Sequence, residues 1–262
     1  MCVPDKKEWL DVVHRDIAKA ARVAARGGTI EWVEPPFYLR PSADQAINIL
    51  SAIREAGALA TNDCETDSPT PHTARLRCVG VGADVGGREI VVVVPFRHMD
   101  MTEWWESAAE QDRVACALRD VLDNNPLAMQ FGSYDSTMYL KTGLLSWRGK
   151  GWIDTTLLSR NSFDNDLPKD LGFLMRRHFE APMHKADVDH KSMDNVDDDK
   201  LLLYNAHDVV GTKRLVSVLW QRVLDSGGTR AWKTDCLMAP ILRDMGELGL
   251  VVDERKRSEF SR

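Results

Sequence analysis

The chain has 262 residues, enough to bury one good core, and 34 basic against 40 acidic side chains leave a net charge of −6. No Lys/Arg block marks an electrostatic nucleic-acid tail. No apolar run approaches the roughly eighteen residues of a membrane span, and no signal peptide opens the chain, so no membrane partner is expected and the location is expected to be cytoplasmic. Five scattered cysteines (Cys2, Cys64, Cys78, Cys116 and Cys236), with no C-x-x-C pair, argue against a zinc or disulfide framework and fit a reducing compartment.

In chain order, Lys6 to Arg26 has the periodicity of an amphipathic helix, marked by Leu10, Val13, Ile17, Ala21 and Val23 and stopped by Gly27-Gly28. Glu34-Pro35-Pro36 to Pro41 reads as an extended linker. Ser42 and Gln45 form a capping box before a helix carrying Ile49, Leu50 and Ile53, with Gly57 as its stop. A strand over Ala58–Cys64 follows. Arg75–Val81 and Glu89–Phe96 read as two more strands joined by the turn Asp84–Gly87. The β-branched run Ile90–Val94 predicts a strand covered on both faces. Ser107–Asp123 is helical, Leu127–Gln130 is a short buried strand, and Tyr134–Leu140 starts a helix. Trp152–Thr155 is a last strand, followed by helices to Arg160 and over Leu167–His178. Pro182–Asp199 is a polar connection into a long helix, Asp197–Leu224. A meander followed by crossovers predicts an α/β domain with a mixed sheet flanked by helices.

Chemistry concentrates on acids. Asp63 and Glu65 are two apart on a strand and project from one face. Such a pair is costly unless a cation lies between its members. Asp135 follows the short buried strand, at a strand-to-helix transition of the kind that lines ligand crevices in α/β sheets. Tyr204 and Asp208 are four apart, on one face of the long helix. Four carboxylates from separate elements suit two Mg²⁺ or Mn²⁺ ions, which take oxygen ligands and can bind the attacking and leaving oxygens of a phosphodiester. Tyr204 would then hold the attacking water. An acidic chain can hold a nucleic acid in this way, through its cations.

These motifs resemble the DEDD superfamily of 3′–5′ exonucleases, in particular the proofreading domain of family A DNA polymerases of bacterial and phage type. The first motif is similar to Asp63-Cys64-Glu65-Thr66-Asp67-Ser68, the second to the segment ending Tyr134-Asp135, and the third to Tyr204-x-x-x-Asp208. Leu157 and Asp166 to Leu174 resemble the stretch between the second and third. The resemblance covers roughly 42–224 and implies a ribonuclease H-like fold. It implies Asp63, Glu65, Asp135 and Asp208 as ligands of two divalent cations, Tyr204 as the residue orienting water, and Thr66 as a substrate contact. The tyrosine marks the DEDDy branch, because Leu203 stands where the DEDDh branch has histidine; His207 reads as structural. One departure is Phe131, where the family usually carries Asn, although Gln130 is present. Met238-Ala239-Pro240-Ile241-Leu242 through Asp253 resembles the opening of a polymerase domain. The implied organisation is a helical extension and linker over 1–41, an exonuclease domain over 42–226 and a helical polymerase-like start over 227–262.

The resemblance implies hydrolysis of single-stranded or frayed DNA from its 3′ end to nucleoside monophosphates, with a polymerase domain or subunit as a partner. The same acids and tyrosine also fit an RNase D-like exoribonuclease. A non-catalytic module docking on DNA or a polymerase is the third reading, and Phe131 is the feature that favours it. The acidic stretch Asp187–Asp199 lacks the Gly and Glu of a calcium loop and reads as a solvated segment entering a helix. Most of the tryptophans read as packing, and Lys141, Arg148 and Lys150 as a solvated face.

Overall fold

The computed structural model describes residues 6–162, 167–181, 196–249 and 256–257. Its elements are α1 (Lys6–Ala25), β1 (Phe37–Tyr38), α2 (Ala43–Ala56), β2 (Ala60–Thr66), β3 (Leu76–Val85), β4 (Arg88–Pro95), α3 (Ala108–Asn124), β5 (Leu127–Met129), α4 (Ser133–Lys141), β6 (Ile153–Asp154), α5 (Thr155–Arg160), α6 (Leu171–His178), α7 (Asp198–Ser226) and α8 (Thr229–Leu248). Most of Pro182–Asp199, and Asp166, lie outside the described residues.

The six strands form one mixed sheet in the order β1-β4-β3-β2-β5-β6. β2, β3 and β4 make the antiparallel meander, while β2–β5, β5–β6 and β1–β4 pair in parallel. Side-chain alternation divides the meander between two cores. Val79, Val81, Val92 and Val94 face α2 and α3, packing with Leu50, Ile53, Leu118 and Val121. Cys78, Val91 and Val93 face α7, packing with Leu202, Ala206 and Val209. The β-branched run is thus covered on both faces, as its composition predicts. This is the ribonuclease H-like fold.

Local chemistry sets the element ends. Ser42 accepts from the N–H of Gln45, the Gln45 side chain returns to Ser42, and Gly57 closes α2 at φ 59°. Two glycines decide how close α7 comes: a Cβ on Gly80 or Gly82 would lie 2.7 Å from Val209 methyls. Where a linker was expected, Phe37–Tyr38 instead adds an edge strand to β4; two residues after Pro35-Pro36 carry no periodicity that reveals pairing. α1 forms where expected, but Leu10, Val13 and Ile17 are exposed and Val12 is buried. Lys19 donates to the Phe179 carbonyl at 3.1 Å, and Arg26, just past the helix, pairs with Glu180. α8 packs on α4, α5 and α7, burying Ala239 and Arg243 while Leu237, Ile241, Leu242 and Met245 remain exposed.

Candidate active site

β2, β5 and β6 run parallel. Asp63 and Glu65 sit in the C-terminal half of β2, Asp154 ends β6, and Asp135 lies in the first turn of the helix after β5. Ligand crevices in open α/β sheets form at such carboxyl ends. The period of β2 turns Asp63 and Glu65 toward α7, where Tyr204 and Asp208 lie one turn apart.

The tertiary structure brings three of the four expected acids together. One carboxylate oxygen each from Asp63, Glu65 and Asp208 lie within 4.8 Å of one another. Three like charges so close favour a cation between them. The all-oxygen donor set suits Mg²⁺ or Mn²⁺ rather than a sulfur- or imidazole-preferring metal. Tyr204 closes one side of this cluster. The residue is 6 % exposed, and its phenol is hydrogen-bonded to Asp208. Burial, and then the charges of Asp208, Glu65 and Asp63, raise its pKa well above the usual phenol value, so it stays a neutral donor.

Asp135 stands apart from that three-way grouping. Its Oδ1 accepts the backbone N–H of Cys64 at 2.8 Å. On β2, β5 pairs with Ala60 and Thr61 alone, so among the described residues the β5 side of β2 has no strand partner beyond Thr61, and Asp135 takes that place at Cys64. Burial pushes its carboxyl up to about 7, with the Asp154 charge acting in the same direction and the Cys64 N–H opposing both. Thr66, the expected substrate contact, has its hydroxyl 2.9 Å from the Ser68 carbonyl and 2.6 Å from the Tyr134 phenol.

Sequence reasoning passed over two residues. Asp154 accepts from the backbone N–H groups of Gly132 at 2.9 Å, Phe131 at 3.3 Å and Thr156 at 2.8 Å, and from the Trp152 indole at 3.2 Å. It thereby holds the turn that delivers Asp135. The pattern Asp154-Thr155-Thr156 is an N-cap pattern and was the available clue. Asn205 donates to Asp63; nothing local in the sequence announces that contact. Phe131 occupies the left-handed region at φ 58° and is 63 % exposed. It borders a cavity of about 250 Å³ with Ser133, Asp154, Leu157, Arg160 and Met238.

Other side chains considered in the sequence have structural work. His207 contacts Glu34 at 3.0 Å and lies edge-on to Phe37. Lys141 donates to the carbonyls of Pro71, His72 and Ala74, clipping the loop after β2. Trp105 is buried, and Trp104 stacks on His98. No helix among the described residues is long and apolar enough to cross a membrane.

Neither a protein-family model nor a curated protein matches this chain. Solved structures do. An "apo form of the nuclease" superposes with a TM-score of 0.56 at 16% identity, over 76% of this chain and 89% of that one. NrnC of Brucella melitensis with bound Mg²⁺ superposes with a TM-score of 0.53 at 17% identity, over 73% and 86%. RNase D of Escherichia coli, an exoribonuclease involved in structured RNA processing, gives 0.56 at 16% identity, over 84% of this chain and 52% of that one. At these identities the likeness is one of fold.

Proposed function

We propose that this protein is a metal-dependent 3′–5′ exonuclease. The observation that carries the reading is the meeting of Asp63 and Glu65 from β2 with Asp208 and Tyr204 from α7 at the carboxyl ends of parallel strands. Asp63, Glu65 and Asp208 would hold divalent cations, with Asp135 as the fourth acid beside them. When bound, two such ions supply Lewis acidity at the phosphorus and charge neutralisation at the attacking and leaving oxygens.

The chain's own residues supply orientation. The Tyr204 phenol, kept protonated and donating its O–H to Asp208, offers its oxygen as a hydrogen-bond acceptor for the attacking water. Glu65 faces the same space and positions the water with it. Water adds to the terminal phosphorus as the 3′ oxygen of the penultimate nucleotide leaves and takes up a proton. The products are a nucleoside 5′-monophosphate and a strand shortened by one nucleotide. The terminal nucleotide must leave its stack to reach the acids, so the substrate is single-stranded or frayed.

Two substrates have separate support. DNA is favoured by the likeness of the three motifs to proofreading domains and of Met238–Asp253 to the opening of a polymerase domain, the latter also supporting a polymerase partner. RNA is favoured by the fold neighbours, among them RNase D and an NrnC structure bound to pGG. Matched 5′-labelled single-stranded DNA and RNA oligonucleotides, incubated with Mg²⁺ or Mn²⁺, test both. The expected result is a ladder shortening from the 3′ end, absent with EDTA and absent in Asp63→Ala and Asp208→Ala. The faster ladder names the substrate. Wild-type rates in folded Asp208→Ala would sink the site assignment, and binding without any ladder would favour a docking module.

A further inference from the structure

We propose that Asn205 is a positioning residue for Asp63, locking one carboxylate of the acid cluster so that the site favours a small, geometrically demanding cation. The inference rests on the reading of Asp63, Glu65 and Asp208 as a divalent-cation site.

The Asn205 amide Nδ2 donates to Asp63 Oδ2 at 2.8 Å and to the Asp63 backbone carbonyl at 3.2 Å. One amide thus grips the side chain and the main chain of the same acid. That fixes the carboxylate relative to β2, which is what a partner behind a metal-site carboxylate does. Asn205 has little freedom itself. It is fully buried on α7 and faces Gly80, the residue paired with Asp63 across β2 and β3. A Cβ on Gly80 would stand 2.2 Å from the Asn205 Oδ1. Glycine at 80 is therefore a condition for the amide to reach Asp63.

The cost of the arrangement points to its use. Among the described residues Asn205 Oδ1 is buried with no hydrogen-bond partner, and an unsatisfied buried acceptor destabilises a fold. Leucine has nearly the same shape and would avoid that cost, so packing alone does not call for an amide here. What only the amide provides is an N–H aimed at Asp63, one of three carboxylates crowded within 4.8 Å. Charge-assisted bonds of this type are among the stronger ones and restrict rotation of the acid. Restriction matters most for Mg²⁺, which demands near-ideal octahedral geometry, and least for Ca²⁺, which accepts irregular shells.

The test is calorimetric titration of the full chain with Mg²⁺ and, separately, with Ca²⁺, for wild type, Asn205→Leu, Asn205→Ala and Asp63→Ala. Thermal unfolding in EDTA reports folding of each variant. Leucine keeps the volume should the alanine variant fail to fold. The expected result is a loss of Mg²⁺ affinity of about tenfold or more in both Asn205 variants, with a smaller loss for Ca²⁺, so that the Mg²⁺/Ca²⁺ ratio falls. Folded Asn205 variants that bind both cations as wild type does, or lose both by the same factor, would overturn the role of Asn205 and leave the metal-site reading standing. A wild type that binds neither cation would overturn the metal-site reading, and this inference with it.

Discussion

The carboxylate of Asp135 accepts the backbone N–H of Cys64 at 2.8 Å, tying the first turn of α4 to β2 at the residue between Asp63 and Glu65. Two elements distant in sequence are thereby locked at the position where the acids must be held steady. The fourth acid of the expected set stays buried, beside the cluster rather than in it.

That burial gives a pH dependence. The Asp135 carboxyl is pushed up to about 7 from an ordinary 3.8, so the folded chain holds this proton more tightly than the unfolded chain. Its stabilising contribution is fully present below about 4 and is lost as pH rises through about 7. Metal-free protein in EDTA should therefore lose unfolding midpoint between pH 5 and 8. Asp135→Asn should flatten that slope; an unchanged slope in the variant would assign it to another group.

Removing or adding metal should move stability through the three-acid cluster. Mg²⁺ at a hundred times its Kd should stabilise the wild type by about 2.7 kcal/mol, read as a rise in the thermal midpoint. Glu65→Gln and Asp208→Asn should abolish that rise. In EDTA both variants should unfold no earlier than wild type, because each removes one of three crowded like charges. Full Mg²⁺ stabilisation of either variant would place the cation elsewhere.

Arg77 reaches from β3 to the start of α7. Its side chain is fully buried, and Nη2 meets Asp198 at 2.7 Å while Nη1 donates to the Val196 carbonyl. Asp198 also meets His98 Nδ1 at 2.9 Å. Arg77→Ala removes one partner from a largely buried pair and should cost about 3–5 kcal/mol in urea unfolding. A cost below about 1 kcal/mol, the range of exposed pairs, would show that the Arg77–Asp198 pair does little to hold α7.

Phe131 combines a left-handed backbone with an exposed ring on the cavity beside Asp154. Phe131→Gly should stabilise the fold by about 1 kcal/mol by releasing the cost of φ 58°. Asn tolerates this region better than Phe, so Phe131→Asn should stabilise too. The ring is also a surface for stacking a base. Under the exonuclease reading both variants should raise KM for a short oligonucleotide while thermal stability improves. A KM unchanged in both would leave the ring no part in substrate binding.

Much of this molecule was legible from periodicity and short-range chemistry. Alternation alone turned Asp63 and Glu65 to one face, and helical spacing paired Tyr204 with Asp208. The Ser42–Gln45 box and the Ile90–Val94 run defined a helix start and a doubly covered strand, because caps and side-chain alternation are written within a few residues. Long-range contacts decided the rest. Only the folded chain shows that Asp135 ends on the Cys64 amide, 71 residues away, and that Asn205 grips Asp63, 142 residues away. Only the fold makes a strand of Phe37–Tyr38 and a loop clip of Lys141. The acids themselves were written in the sequence, whereas their geometry depends on which backbone groups the sheet leaves unpaired and how near glycine lets α7 approach. Those are properties of packing between distant segments, and no local pattern encodes them.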